Sequence, residues 1–235
     1  KVDENSNEIT AIPVLLRALA LNGCIVTIDA MGCQRKIARE IVDADADYVL
    51  ALKGNQETVH EEVKSYMDDA VTRWTKAPAS VPELDCYETV EKGHGRIETR
   101  RFWQSDRVDW FADRNQWEKL SGFGMVESTR EIQAVATTER RYYLLSIPRN
   151  ARQFAKASRG HWGVENSLHW VLDVVFKEDQ SRAREGYAAQ NLATLRRLAL
   201  NALKREPGKR SMRLKVKRAG WNNDYLLSVL GINPA

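Results

Sequence analysis

Apolar positions recur along the chain in two periods, and the switches between them mark out its segments. In 8–22 the set Ile12, Leu15, Leu16 and Leu19 repeats at helical spacing. Thr10 suits the N-cap, Pro13 is tolerated in the first turn, and Asn22-Gly23 stops the helix. CIVTID at 24–29 and YVLAL at 48–52 are short, almost unbroken apolar runs, the pattern of strands covered on both faces. A helical stretch at 34–42 lies between them, so the three predict a right-handed βαβ unit with parallel strands. Residues 1–3 read as the end of a further strand, and 4–7 as a polar turn.

Helical periodicity returns over 57–74, with Val59, Val63, Tyr66, Met67 and Ala70 on one side. Two prolines in 77–82 break it, and the chain then alternates. Runs at 86–91 and 96–103 flank a Lys92-Gly93-His94-Gly95 turn, and runs at 125–130 and 137–147 form a second pair, so two antiparallel hairpins are expected. Pro148 closes this β-rich stretch. A helix from about 150 then leads into RGHWGVENSLHWVLDVVFKED at 159–179, where His161, Glu165, His169 and Asp173 follow at four-residue intervals. Trp162, Val164, Leu168, Val171 and Leu172 cover the neighbouring arc and would hold that helix on a core. Gly186 precedes an amphipathic helix at 187–204 with Leu192, Leu195, Leu198, Ala199, Ala202 and Leu203 as its core face and Arg196 and Arg197 elsewhere. A basic segment at 209–218 and a last apolar piece, DYLLSVLG, follow.

Composition narrows the class. With 235 residues and 43% hydrophobic content the chain can bury a real core. Its longest apolar runs are far short of the roughly 18 residues that cross a bilayer, and it opens with no signal segment, so a soluble, cytoplasmic protein is expected. Cys24, Cys33 and Cys86 cannot all pair within one chain and form no CxxC, which argues for buried thiols in a reducing cytosol rather than a disulfide frame or a zinc knuckle. The net charge is only +4, but 204–218 holds eight Lys or Arg against the single acid Glu206, a composition suited to a polyanion.

Three sets of residues carry candidate chemistry. Asp29 ends a buried strand, and in open α/β sheets ligands gather at the C-terminal strand ends; Asp is equally an ordinary turn residue. Lys53 stands at the same edge, where it could hold a phosphate or simply be solvated. In the hairpins Arg96, Arg100, Arg101, Arg130, Arg140 and Arg141 interleave with Trp103, Tyr142 and Tyr143, as in a groove with rings for stacking, although arginines on a sheet's solvent face are common. The third set is the polar seam. His161 and His169 are eight residues apart, roughly 12 Å of α-helical rise, too far to share one ion. Glu165 is therefore better read as one carboxylate of an acidic cluster for a hard cation, with Asp29 its natural companion.

The strings EITAIP, CIVTIDAMGCQ, DYVLALKGNQ, HGRIETRR, RGHWGVENSLHWVLDV and NLATLRRLALNALKRE, in that order along nearly the whole chain, resemble the H-repeat-associated group of DDE-type insertion-sequence transposases. The resemblance implies an α/β fold, a ribonuclease H-like core interrupted by a β-rich insertion: 1–56 as its first part, 57–148 as a helix plus antiparallel insertion, 149–206 as its second part and 207–235 as a basic tail. It implies metal-dependent DNA cleavage and strand transfer at element ends, with Mg²⁺ or Mn²⁺ held by three carboxylates. By motif position Asp29 resembles the second acid and Glu165 the third, while Arg159, His161, Asn166 and His169 would orient DNA phosphates or the carboxylates. Implied partners are double-stranded DNA at element ends and targets, and further copies of the chain, with no membrane and a location on the nucleoid.

Two departures qualify the resemblance. The family's first acid lies on a strand expected before Lys1, so this chain is expected to lack strand-transfer activity alone. Asp173, eight residues past Glu165, is a poor substitute, since paired metals sit about 3.5–4 Å apart. Ser158, His161 and Leu172 stand where the broader insertion-sequence signature has Tyr, Arg and Lys, so those roles do not transfer. Without leading strands, 24–29 would also expose an apolar edge, which predicts self-association. The rival readings are a non-catalytic DNA-binding or subunit-poisoning fragment, and a single-metal hydrolase built on His161, Glu165 and His169.

Overall fold

The computed structural model describes residues 8–93, 95–133 and 135–232, with the side chains of residues 8 and 164–166 outside the description. The expected strand end at 1–3 and His94 of the first hairpin thus lie outside the described residues. The chain forms two compact units, residues 2–161 and residues 162–235.

The first unit runs α1 (Glu8–Ala18), β1 (Ile25–Ile28), α2 (Arg35–Asp43), β2 (Asp47–Leu52), α3 (Glu57–Lys76), β3 (Leu84–Gly93), β4 (Arg96–Ser105), β5 (Gly122–Ile132) and β6 (Val135–Leu145), and ends within α4 (Ala151–Val164). Its six strands make one sheet in the order β1-β2-β6-β5-β4-β3. β1 and β2 are parallel, with Ile28 opposite Leu50, and every other pairing is antiparallel. The expected βαβ unit and both hairpins are present, each hairpin strand running a few residues beyond its apolar core. β6 pairs with β2, Leu144 opposite Leu50, so the four-stranded meander continues the sheet that β1 and β2 begin.

Alternation along the strands splits the core between the two sheet faces. Tyr48, Leu50, Trp103, Met125 and Leu144 point to one side, where they meet Ile37 and Ile41 of α2 and Val63 and Met67 of α3. Val49, Phe102, Val126, Tyr143 and Leu145 point to the other and pack on Phe154 and Ala155 of α4. The α4 contact depends on Gly124 in β5: a Cβ there would stand 2.7 Å from Phe154 Cζ, inside van der Waals contact. A missing side chain on the sheet thus makes the seat for the ring that anchors α4.

Three expectations need correction in this unit. β1 was expected to be covered on both faces, but its four residues are only half-buried because it lies at the end of the sheet. α1 begins at Glu8 rather than after a Thr10 cap, and of its expected face Leu16 alone is fully buried, while Leu15 and Leu19 are exposed. An apolar stripe is covered only when another element lies over it, and here the neighbours reach Ile12 and Leu16 alone. The thiols were expected to be buried; Cys33 meets this, but Cys24 is exposed, just ahead of the end strand β1.

The second unit is helical. After α4 come two π-helical segments, Glu165–His169 and Val171–Val175, then α5 (Ala188–Arg205), α6 (Met212–Trp221) and α7 (Asn223–Val229). Its core is Val171, Leu172 and Leu200, with Leu168, Val175, Phe176 and Met212 packed around them. The continuous α-helix expected through 159–179 is therefore interrupted. Gly160 and Gly163 lower helix propensity there, and Ser167 Oγ donates to Gly163 O, competing for a backbone acceptor. The α5 face is also displaced: Leu200 and Leu203 are buried, whereas Leu195 and Leu198 are exposed, and Trp162 is exposed as well.

Candidate functional site

Asp29 directly follows β1 in extended conformation, with φ −71° and ψ 179°. Its side chain is exposed and makes no hydrogen bond or ion pair with any described residue. The loop after β2 is tied to the same place. Asn55 Nδ2 donates to Ala30 O, and Gln56 Nε2 donates to Cys33 O at 3.2 Å, so the turn after Asp29 and the segment after Lys53 lie together at the C-terminal ends of two parallel strands. Lys53 is exposed and adds to the positive field that, after the Arg141 guanidinium, holds Glu139 below the usual carboxylate range. His161, near the end of α4, comes to the same strand: its Nδ1 stands 3.2 Å from Thr27 Oγ1, two residues before Asp29. Asp29, Lys53 and His161 are thus gathered around β1 and β2.

The hairpin arginines lie elsewhere, in a different electrostatic setting. Register places Glu88 opposite Arg101, Arg101 opposite Glu127, and Glu127 opposite Arg140, a row of alternating charge across four strands. The pairs close at 2.6 Å (Arg101 to Glu88), 3.4 Å (Arg101 to Glu127) and 2.7 Å (Arg140 to Glu127). Arg140 continues to Asp68 of α3 at 2.8 Å. A second knot joins Arg100 to Glu91 at 2.9 Å and to Glu98 at 2.6 Å, with Arg159 of α4 also on Glu91. Hydrogen bonds from Arg159 first, then Arg100, pull the Glu91 pKa down. Arg130 reaches Glu98 at 3.7 Å and Arg141 pairs with Glu139 at 2.8 Å. Arg96 is exposed, with no ion pair among the described residues. Trp103, Tyr142 and Tyr143, expected to offer rings for stacking, are buried in the two cores instead, because alternation turns these rings inward.

In the second unit Glu165 opens the first π segment and His169 closes it, with His169 exposed; Glu165 and Asn166 are described by backbone alone. Single π turns within helices are frequent at functional sites. Asp173 lies in the second π segment. Among the described residues no three His, Cys, Asp or Glu side chains group to hold a metal ion. Asp29 offers the hard oxygen donor that Mg²⁺ or Mn²⁺ takes, and Mg²⁺ completes its octahedron largely with water and substrate oxygens beside one or two carboxylates. The donor type fits a hard divalent cation, and among the described residues Asp29 is the donor at this strand end.

Thr27, Asn55 and Gln56, which fix the surroundings of Asp29, carried no signal in the sequence beyond their places, Thr27 within β1 and the other two just after β2. Glu88, Glu127 and Asp68 were equally hidden, because their partnership with the arginines depends on strand register.

The chain matches the transposase DDE domain family over residues 1–202, and it belongs to that family. It is 39% identical over 236 aligned positions to the H repeat-associated protein YhhI of Escherichia coli strain K12, and 39% identical to YbfL of the same strain. Each alignment covers 98% of this chain and 61% of the relative, so the chain spans about three-fifths of their length. A protein encoded in the dhlA 3′ region of Xanthobacter autotrophicus is 45% identical over 146 residues, covering 62% of this chain and 47% of that protein. No solved structure matches the chain. Among the described residues no helix is long and apolar enough to cross a membrane.

Proposed function

We propose that the chain is part of a DNA transposase that cleaves and joins phosphodiester bonds at the ends of a mobile element, with Asp29 and Glu165 as two of its catalytic carboxylates. The observation that carries this reading is Asp29 itself: an exposed carboxylate with no described partner, at the C-terminal end of a parallel strand, in a chain of the DDE family. Ligands and catalytic groups gather at the C-terminal strand ends of open α/β sheets, and there Asp29 is free to accept a cation without first giving up a partner among the described residues. In such a site a bound Mg²⁺ or Mn²⁺ would activate the attacking oxygen and stabilise the leaving one. The chain's own residues then have simple tasks. Asp29 and Glu165 supply hard oxygen donors, Lys53 offers a cation to a phosphate beside Asp29, and His161 ties its turn of α4 to Thr27 of β1. The β1–α2–β2 unit suits the first part of a ribonuclease H-like core within 1–56, with 57–148 as the helix and antiparallel insertion before α4.

The test is nicking of supercoiled DNA in Mg²⁺ or Mn²⁺ by a polypeptide extended to the length of the relatives. Asp29→Ala or Glu165→Ala should each lower the rate by at least ~100-fold, more than loss of a group that merely orients a metal ligand. Because Asp29 is exposed and unpaired, its replacement should change stability by no more than about 0.5 kcal/mol. Full nicking by the double variant overturns the assignment.

A further inference from the structure

Charge is divided unevenly between the two units. Residues 162–235 contain thirteen Lys or Arg against seven Asp or Glu, a net +6, while the whole chain is +4 and residues 1–161 therefore carry −2. Much of the excess lies at one corner. Lys204 and Arg205 end α5, Lys209 and Arg210 lie in the connection, and Arg213 and Lys217 are one turn apart on α6. All six are exposed, and none has a hydrogen bond or ion pair to a carboxylate among the described residues.

The corner is also built rather than loose. Lys215, buried at 6% exposure, donates to Leu203 O at 3.1 Å and to Glu206 O at 2.6 Å, and pairs with the Glu206 carboxylate at 2.8 Å. The one acid of the stretch is thus engaged internally, and its cation satisfies carbonyls that the end of α5 leaves open. Helix energetics account for Lys204 and Arg205, since cations favour a helix C-terminus. They do not account for the rest: α6 has no acid in its first turn and carries Arg213 there, against its dipole, just after Lys209 and Arg210.

We infer that this corner grips the DNA backbone, with duplex DNA as the ligand; the inference rests on the transposase reading for the choice of polyanion. A phosphate approaching the sheet must displace a carboxylate from Arg100, Arg101 or Arg140. At the α5–α6 corner it displaces only counterions, and their release drives binding.

The experiment measures affinity of the full 235-residue chain for a 30-base-pair duplex of arbitrary sequence across a salt series, by fluorescence anisotropy. Replacing Lys209, Arg210, Arg213 and Lys217 together by Gln should reduce the slope of log K against log salt by about 2–4 and weaken binding at least ~100-fold near 0.1 M salt. The pair Arg213→Gln and Lys217→Gln, both on a solvent face, should give about half the slope change, and retained helicity by circular dichroism shows that the fold survives. An unchanged slope in the quadruple variant overturns the corner and leaves the transposase reading standing. So does a larger loss from Arg100→Gln, Arg101→Gln and Arg140→Gln, which would assign the grip to the sheet. Failure of the unaltered chain to bind duplex DNA, or preference for anionic vesicles, overturns both the corner and the DNA-binding part of that reading.

Discussion

The two units of the chain treat charge in opposite ways. In residues 2–161 arginines and carboxylates are interleaved by strand register until nearly every guanidinium of the hairpins has an acid. In residues 162–235 cations outnumber acids, and two of those acids are engaged by neighbouring cations, Glu206 by Lys215 and Glu178 by Arg196 and Arg197. Packing differs in the same sense. The sheet unit buries both faces under helices, whereas the helical unit rests on a small cluster and leaves Trp170, Leu195 and Leu198 exposed. The composition of the arginine-rich hairpins therefore did not disclose how much of their charge is already paired. A polyanion has to compete with the neighbours that already balance that charge.

If the sheet unit coheres by packing more than by its charge ladder, the largest loss of stability should come from an uncharged position. Gly124→Val places a branched side chain where even a Cβ meets the Phe154 ring, and it should cost about 3 kcal/mol as α4 is pushed from the sheet. Chemical denaturation followed by tryptophan fluorescence reads this directly. A loss smaller than that of any ladder variant would reverse the ranking and make the ladder the main restraint.

Glu127 comes next. Its side chain is 11% exposed and serves two arginines, so Glu127→Ala leaves Arg101 and Arg140 facing each other across β5 without their common acid. A loss of about 1–2 kcal/mol is expected, above the value for a single exposed pair. Adding Arg140→Ala should return part of it, because the second change removes the repulsion created by the first. Strictly additive losses would show that the register row contributes no coupling.

How much of this was legible beforehand follows from the range of the interactions. The βαβ unit and the two hairpins could be read because alternation and turn residues are local, and Asp29 could be placed because a strand end is local too. That β6 pairs with β2 and joins the hairpins to the same sheet is a contact between residues roughly 95 apart, with no periodic signature. The charge ladder was hidden for the same reason, since Glu88, Arg101, Glu127 and Arg140 become neighbours only once three registers are fixed. The π segments escaped because apolar spacing in 165–175 satisfies an α-helix equally well.

The smallest expected effect separates the two units by pH. Glu91, between Arg159 and Arg100, and Glu206, beside Lys215, both have folded pKa values below the ordinary carboxylate value of about 4.3. A depressed carboxylate stabilises the fold above its unfolded pKa, and the stabilisation is lost as pH falls through the folded value. Both units should therefore melt at progressively lower temperature as pH drops from about 5 toward 3, with little change between about 6 and 8. Glu91 is half exposed, so solvent screening limits its share to a few tenths of a kcal/mol, and Glu91→Gln should barely alter the acid profile of the sheet unit. Glu206 also closes the α5–α6 corner, so Glu206→Gln should flatten the acid dependence of the helical unit while leaving Lys215 able to donate to Leu203 O. Hydrogen exchange at the α6 amides across the pH series measures this separately from the sheet. A Glu206→Gln profile identical to that of the unaltered chain would mean that the corner is held by Lys215 and the carbonyls alone, and that its carboxylate serves only to keep one acid out of reach of the six free cations.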